Sequence, residues 1–239
     1  GSVHNTGTIS TNVSAGQAGW VTVQAPTVVN DGTVTANADN GRAGRVELTS
    51  TNQTTLGAGS VTAAAGGKGV AHGGEVLVHS YRGDTTMERG SVVDLSGGAR
   101  GGHGGTGEVS AKHALGLQGE LKGDTAAGFD NASILLDPTN ILIVDGPEGD
   151  VGGDQYIDPS SIEGFGGDVT LLADNDIRIG SDINKANGGL SLDAGNDIRF
   201  EYLEPMDGGD AAGLLFELFI TADSLDFNAR SEERRVGKE

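Results

Sequence analysis

The chain has 239 residues, with 42 glycines, no cysteine, 4 % aromatic residues and a formal net charge of −19. This composition excludes a disulfide framework and a thiolate metal site, and its acidity disfavours nucleic acid and anionic lipid as partners. No apolar run approaches the roughly 18 residues that span a bilayer, so no transmembrane segment is predicted.

Two short phrases alternate in the first half of the chain. One is a turn glycine followed by a short alternating strand, and the other is glycine, any residue, valine, any residue, apolar residue. Copies of the first are NTGTIS (5–10), NDGTVTA (30–36), GAGSVTA (57–63) and ERGSVVDLSG (88–97), and copies of the second are GWVTV (19–23), GRVEL (44–48), GEVLV (74–78) and GEVSA (107–111). With Val21, Val46, Val76 and Val109 as markers, successive copies are 25, 30 and 33 residues apart. Such periods are typical of stacked repeats, and the alternation is typical of strands.

The glycine-rich segments 65–74 and 96–107 account for the lengthening of the period. Loops that project from stacked strands lengthen at small entropic cost, so both segments are predicted to be exposed turns. His72 and His103 occupy corresponding positions in them, and they are expected to meet if the strands stack.

The segment DGPEGDVGGDQYIDPSS (145–161) is acidic and rich in glycine and proline, which predicts a protruding loop. Asp158 and Pro159 are expected to cap one short helical turn that ends at Gly164. The carboxylates of the loop are candidate ligands for a hard cation, and they belong to Asp145, Glu148, Asp150, Asp154 and Asp158. A solvated acidic loop without a cation is the simpler interpretation.

A thirteen-residue phrase then occurs twice, as GDVTLLADNDIRI (167–179) and as GGLSLDAGNDIRF (188–200), 21 residues apart. Each copy is too short to bury its apolar face alone, so the two are expected to stack. The apolar positions that would superimpose are Val169/Leu190, Leu171/Leu192, Ile177/Ile198 and Ile179/Phe200. Together with the first half, this predicts an all-β solenoid with eight or nine strand-bearing turns between residues 3 and 228.

The same stacking superimposes polar side chains. An asparagine over an asparagine forms a ladder that satisfies side-chain amides, whereas an aspartate over an aspartate costs roughly 1 kcal/mol if solvated. Arginines two residues further along are expected to offset that repulsion by diagonal pairing. The superimposed pairs are Asn175/Asn196, Asp176/Asp197 and Arg178/Arg199.

The end of the chain combines an apolar stretch with a charged tail. GLLFELF (213–219) has helix-favouring residues, but FITADSLDF (219–227) parallels the second copy with one residue deleted and Ala222 matching Ala194, so a strand is predicted. SEERRVGKE (231–239) lacks alternation and is excluded from the fold as a sequence of foreign character.

The predicted organisation is a single solenoid segment over residues 1–228, followed by a non-native-looking charged tail over 229–239. The first residues already follow the repeat pattern, so we expect the chain to be a piece of a longer protein.

One block of the chain carries a family resemblance. VSAKHALGLQGELKGDTAAG (109–128), ILLDPTNILI (134–143) and YIDPSSIEGFGGDVTLLADNDI (156–177) occur in that order. They closely resemble the repeat region of large secreted adhesins of the filamentous haemagglutinin type. The resemblance covers roughly residues 1–228 and is most diagnostic from 106 to 200.

The resemblance implies a right-handed parallel β-helix, exported across the outer membrane of a Gram-negative bacterium by two-partner secretion through a dedicated pore. It also implies a secreted or cell-surface location and a role in cell adhesion, through a receptor or glycan on a host or neighbouring cell. The amino-terminal secretion domain of such proteins is expected to be missing here, which leaves a shaft segment.

Arg82, Gly83 and Asp84 are the candidate binding residues, because this tripeptide is the one by which some adhesins engage host integrins. It follows the predicted strand GEVLVHSY (74–81), so it is expected on an exposed turn. The alternative is a chance occurrence in a chain rich in glycine and aspartate.

Two alternative functions suit the same architecture. A carbohydrate-active β-helix enzyme, a polysaccharide lyase or a glycosidase, needs carboxylates and basic side chains converging on one groove. Residues 124–230 carry 22 Asp+Glu but 4 Lys+Arg, which disfavours a lyase. The second alternative is a haem- or haemopexin-capturing exoprotein, although the five histidines lack metal-ligand spacing. We therefore predict a non-catalytic protein without a catalytic, cofactor or metal site.

Overall fold

The computed structural model describes residues 1–145, 155–200 and 220–229. Within these ranges the chain forms 24 β-strands and one short helix, α1 (Pro159–Glu163). The strands are β1 (Ser2–Asn5), β2 (Thr8–Ser10), β3 (Gly16–Gln17), β4 (Trp20–Asn30), β5 (Thr33–Thr35), β6 (Gly41–Arg42), β7 (Arg45–Leu56), β8 (Val61–Ala63), β9 (Ala71–His72), β10 (Glu75–Ser80), β11 (Asp84–Met87), β12 (Val92–Asp94), β13 (Thr106–Ala111), β14 (Leu115–Leu117), β15 (Glu120–Lys122), β16 (Ser133–Asp137), β17 (Ile141–Ile143), β18 (Asp168–Ala173), β19 (Ile177–Ile179), β20 (Ile183–Asn184), β21 (Gly189–Ala194), β22 (Ile198–Phe200), β23 (Ile220–Thr221) and β24 (Ser224–Ala229).

Every hydrogen-bonded pair of these strands runs parallel. The largest sheet has nine strands in chain order, β1-β4-β7-β10-β13-β16-β18-β21-β24, with β11 and β14 beside them. The other sheets have the orders β15-β12-β8-β5-β2, β3-β6-β9, β17-β19-β22 and β20-β23. The prediction of an all-β fold is confirmed, and its sheets are parallel.

The chain visits the sheets in a repeated order. From β4 it passes to β5 in the second sheet and to β6 in the three-stranded sheet β3-β6-β9, and it then returns to the largest sheet as β7. The same sequence of sheets follows for β7, β8 and β9. Each strand therefore pairs with the strand one repeat later rather than with its neighbour in sequence.

The inward side chains of the largest sheet form rows of buried apolar residues, of which the first is interrupted at Gly107. Because side chains alternate along a strand and the register is parallel, equivalent residues superimpose. One row contains Val21, Val46, Val76, Ile134, Val169 and Leu190, and the next contains Leu48, Val78, Val109, Leu136, Leu171 and Leu192. Each such side chain contributes roughly 1.5–3 kcal/mol of transfer free energy when fully buried, so these rows hold the strands together.

The predicted stacking of the two thirteen-residue copies is confirmed. Val169 pairs with Leu190 and Leu171 with Leu192, and the pairs Ile177/Ile198 and Ile179/Phe200 form as predicted. The Phe200 side chain, in the last of these pairs, is 52 % exposed, so this pair is open to solvent.

The polar side chains of the two copies bond differently from the predicted asparagine ladder. The side-chain amide of Asn196 donates to Asp176 Oδ1 at 2.7 Å, and Asn196 bonds to Asn175 through the backbone, from its N–H to the Asn175 carbonyl oxygen at 2.8 Å. Diagonal arginine pairing does occur, because Arg199 lies 2.7 Å from Asp197 and 3.7 Å from Asp176. The shared arginine offsets the repulsion between the superimposed aspartates.

The predicted alignment of Val109 with Val76 is wrong by two residues. Val109 pairs with Val78, and Gly107 takes the place opposite Val76. The glycine leaves the inward position without a side chain, and Leu95 occupies that space, since a Cβ at Gly107 would lie 2.5 Å from Leu95 Cδ1. The similarity of the sequences GEVLV and GEVSA therefore predicted the wrong register.

The predicted match of Ala222 with Ala194 is also wrong. Ala194 pairs with Ala229, because β24 as a whole lies beside β21. Residues 220–221 belong instead to the short strand β23, which pairs with β20. The assumed deletion spanned the turn between two separate strands. The segment 213–219 and the tail 231–239 lie outside the described residues.

The acidic segment 145–161 is only partly described, because residues 146–154 lie outside the described ranges. Its last part does not protrude as predicted, since Tyr156 and Ile157 are buried and Ile157 bridges to Leu117 and Ile143. These apolar side chains draw the segment back onto the sheet.

The predicted helical turn is confirmed. Asp158 caps helix α1 by accepting from the Ser160 amide at 3.0 Å, Pro159 occupies its first turn and Gly164 ends it. No helix among the described residues has the length and hydropathy needed to cross a membrane.

A row of glycines forms the corner between the sheet β3-β6-β9 and the largest sheet, and we call Gly19, Gly44, Gly74 and Gly105 the corner glycines. Each carbonyl accepts from the strand above, as from Arg45 to Gly19 at 3.2 Å and from Glu75 to Gly44 at 2.9 Å. A Cβ at Gly74 would lie 2.0 Å from the Gly44 carbonyl oxygen, so the repeats approach too closely here for a side chain.

Gly74→Ala is expected to lower the free energy of unfolding by about 2 kcal/mol or more, because the new methyl group displaces backbone at the corner. Gly7→Ala is the matched control, since a Cβ there has no atom within 4 Å, and it should change stability by less than about 0.5 kcal/mol. Urea denaturation followed by circular dichroism measures both. Equal stabilities would contradict the close approach at the corner.

Candidate functional site

The outward side of the largest sheet carries rows of polar side chains. The register superimposes Thr49, His79 and Ser110 on β7, β10 and β13, and it continues the row to Asp137 on β16. Glu108 precedes Ser110 by two residues, so it projects from the same side of the sheet. We call His79, Glu108, Ser110 and Asp137 the face cluster.

A chain of hydrogen bonds joins three members of the face cluster. Ser110 Oγ donates to Glu108 Oε1 at 2.5 Å, and His79 Nδ1 lies 2.5 Å from the same hydroxyl oxygen. Because the single hydroxyl proton goes to Glu108, the bond to His79 requires the proton on Nδ1. His79 is thus a donor to Ser110, which is the reverse of the arrangement that activates a serine nucleophile.

The pKa values of the two carboxyl groups of the face cluster are shifted in opposite directions. The hydrogen bond with His79 has the largest effect and lowers the pKa of Glu108; partial burial opposes it, and the Ser110 hydroxyl lowers the pKa further. Burial raises the pKa of Asp137, and the nearby charges of Asp174 and Glu108 raise it further. A pair of carboxyl groups whose pKa values are pushed apart is the arrangement that acid–base catalysis uses.

The spacing of this pair follows from the register. Ser110 pairs with Asp137 and Glu108 with Leu135, so Glu108 and Asp137 are diagonal neighbours on adjacent strands. The two carboxyl groups are near enough for the charge of Glu108 to raise the pKa of Asp137. Tyr81 is exposed beside them, with its ring 4.5 Å from the His79 ring between centroids.

Asp137→Asn is expected to raise the melting temperature at pH 7 by about 2 °C. The raised pKa of Asp137 means that the folded chain keeps a proton that the unfolded chain releases above its ordinary value of 3.8. Stability is therefore lost as the pH rises from that value through the folded-state pKa. The difference between variant and wild type should disappear at pH 3, where Asp137 is protonated in both states.

Thermal melts followed by circular dichroism test this, with exposed Asp226→Asn as the matched control. A control that rises as much as Asp137→Asn at pH 7 would assign the effect to net charge instead of to the face cluster.

Arg82 and Gly83 lie at the bend after β10, and Asp84 is the first residue of β11. Arg82 is exposed, and Gly83 accepts at its carbonyl oxygen from the His113 amide at 3.1 Å. Asp84 Oδ1 accepts from the Ala114 amide at 3.1 Å and lies 2.7 Å from His113 Nδ1. The Asp84 carboxylate therefore fixes the next bend of the chain, and integrin binding by this tripeptide stays a prediction.

The two histidines of the glycine-rich turns meet across the strands, as expected. The rings of His72 and His103 stack with centroids 5.3 Å apart at 15°, and His103 Nδ1 lies 3.0 Å from Asp130 Oδ2. In the ranges that the structure describes, no group of three or more His, Cys, Asp or Glu side chains is arranged to hold a metal ion.

The face cluster is the part of the site that sequence reasoning missed. With Val109 placed over Val76, Ser110 would pair with Leu77 and His79 with Lys112. The correct register, shifted by two residues, brings Ser110 beside His79. The signal available in the sequence was the glycine at 107 in a position that other repeats fill with an apolar side chain.

Comparisons with protein-family models, with curated proteins and with solved structures give no match to this chain. The functional assignment therefore depends on the sequence pattern and on the geometry described above.

Proposed function

We propose that the chain is a non-catalytic shaft segment of a secreted or surface-exposed bacterial adhesin, similar to those of the filamentous haemagglutinin type. The observation that supports this most is the order of the largest sheet, in which nine parallel strands follow one another in chain order. A chain that returns to the same sheet once per repeat extends along one axis as repeats are added.

In this proposal the parallel sheets are the faces of a right-handed parallel β-helix. The rows of buried apolar side chains form its interior, and the glycine-rich segments 65–74 and 96–107 connect its faces, with β9 (Ala71–His72) inside the first of them. Such a body presents one side chain of each row roughly every 4.8 Å, so a shaft offers repeated outward groups to a partner while it carries a distal region away from the cell.

The proposed setting is the surface or the medium of a Gram-negative bacterium, which the parent protein reaches through an outer-membrane partner pore. The proposed partner is a receptor or glycan on a host or neighbouring cell. The acidity of the chain, with a net charge of −19, supports a partner other than nucleic acid.

Fluorescently labelled protein is expected to bind epithelial or bacterial cells saturably, and excess unlabelled protein should displace it, as measured by flow cytometry. An unrelated acidic protein of similar size is the control for charge. Binding that is absent from both cell types, or equal to that of the control, would contradict an adhesive role.

The same assay tests the predicted tripeptide through Arg82→Ala. The predicted integrin binding requires attachment to fall in Arg82→Ala, whereas a chance occurrence of the tripeptide leaves it unchanged; Asp84 Oδ1 also accepts from the Ala114 amide and so fixes a bend of the chain. Asp84→Glu is a less clean variant, since it also disturbs that bend. A loss of attachment in Arg82→Ala, with an unchanged circular dichroism spectrum, would assign binding to the tripeptide.

A second candidate function, a carbohydrate-active enzyme, is favoured by one observation, the opposite pKa shifts of Glu108 and Asp137 in the face cluster. If this candidate is right, the protein releases reducing ends from an oligosaccharide panel, and Glu108→Gln lowers the rate about 100-fold or more, the contribution typical of a general acid or base. Ser133→Ala, on the same outward side of β16, is the matched control. Wild-type protein that releases no reducing ends removes this candidate.

A further inference from the structure

A groove runs along the corner between the sheet β3-β6-β9 and the largest sheet. Its volume is about 330 Å³, and it is lined by Gln17, Trp20, Arg42, Ala43, Gly44, Arg45, Gly74 and Glu75. The corner glycines Gly44 and Gly74 contribute backbone without side chains, which leaves space between the side chains on either side. We call this the corner groove.

The register builds the two sides of the corner groove. On one side, Trp20, Arg45 and Glu75 superimpose at the starts of β4, β7 and β10. On the other side, Gln17 on β3 pairs with Arg42 on β6. These residues are scattered over 59 positions of sequence, and the stacking of three repeats brings them to one place.

One side of the corner groove carries a large exposed aromatic ring. Trp20 is 74 % exposed, although tryptophan is highly buried on average. An indole combines a flat apolar face with one N–H donor, and such groups are common anchors of binding sites. The exposed ring is therefore a candidate contact for a ligand.

Some hydrogen-bonding side chains of the corner groove are bonded to other protein groups, and others are not. The Arg45 guanidinium donates to Glu47 and, at 2.9 Å, to Glu75, so its charge is compensated within the protein. Gln17 and Arg42 make no side-chain hydrogen bond or ion pair within residues 1–145, 155–200 and 220–229. Arg42 thus supplies an uncompensated positive charge beside the exposed ring of Trp20.

We propose that the corner groove binds an acidic saccharide, with one sugar ring against the Trp20 indole and a sugar carboxylate on Arg42. A pyranose ring offers an apolar C–H face to the indole and hydroxyl groups to the amide of Gln17, which both donates and accepts. The forked donors of a guanidinium match a carboxylate in two parallel hydrogen bonds.

The charge of the corner groove excludes ligands that need many cations. A polyphosphate chain such as nucleic acid needs many cations for binding, whereas the corner groove has one uncompensated arginine. A short saccharide with isolated carboxylates matches one cation and one aromatic face. The inference deepens the proposed adhesive function by giving it a ligand class, and it rests on that function only for its biological role.

Trp20 is the only tryptophan of the chain, so its fluorescence reports on the corner groove alone. Titration with oligogalacturonate or sialyllactose is expected to change the emission saturably, and the neutral maltohexaose should bind at least 10-fold more weakly. The Arg42→Gln variant retains Trp20 as the fluorophore, and its affinity for the acidic saccharides should be at least 10-fold lower. Arg100→Gln removes an exposed arginine elsewhere and should leave binding unchanged. Calorimetry with Trp20→Ala should show loss of binding.

Three outcomes would overturn the inference. The first is that neither acidic saccharide changes the Trp20 emission at 10 mM, and the second is that maltohexaose binds as tightly as the acidic saccharides. The third is that a poly-glutamate peptide binds as tightly as they do and loses affinity to the same extent in Arg42→Gln. The last result would make the corner groove a general anion site. None of these outcomes affects the cell-attachment assay, and failure of that assay leaves saccharide binding to be judged by the titration.

Discussion

Backbone hydrogen bonds between parallel strands one repeat apart fix the register of the largest sheet, with one irregularity between Ala25 and Thr27 where β4 pairs with β7. A slip of one residue would exchange every inward side chain for an outward one. The buried apolar rows oppose such a slip, since Leu48, Val78 and Leu171 would then face solvent. The same register determines which polar groups meet outside, so the interior packing and the outer surface have one cause.

The corner glycines show how this constraint shapes a surface as well as a core. Close approach of the repeats at Gly44 and Gly74 is required for the hydrogen bonds between successive strands. Because no side chain projects there, the corner groove lies between two rows of larger side chains. The feature that permits stacking therefore also leaves room for a ligand beside Trp20.

The sequence predicted the fold better than the site. The copies at 167–179 and 188–200 share a pattern without gaps, so their register was predictable from letters alone. Gly107 broke the pattern, because the side chain of Leu95, the residue that follows β12, fills its place. The face cluster was missed as a direct result. The corner groove was missed for a different reason, since Trp20 and Arg42 lie on different sheets and only the stacking brings them together.

The ladder of parallel strands joins residues 21 positions apart at its tightest, as in Val169 and Leu190, and 37 apart in Ile183 and Ile220. Every new strand consequently docks on a template that was synthesised shortly before it. A further strand can be added at the end of the sheet at a similar loop-closure cost for each step. Lengthening such a chain by whole repeats consequently leaves the packing of the existing repeats unchanged.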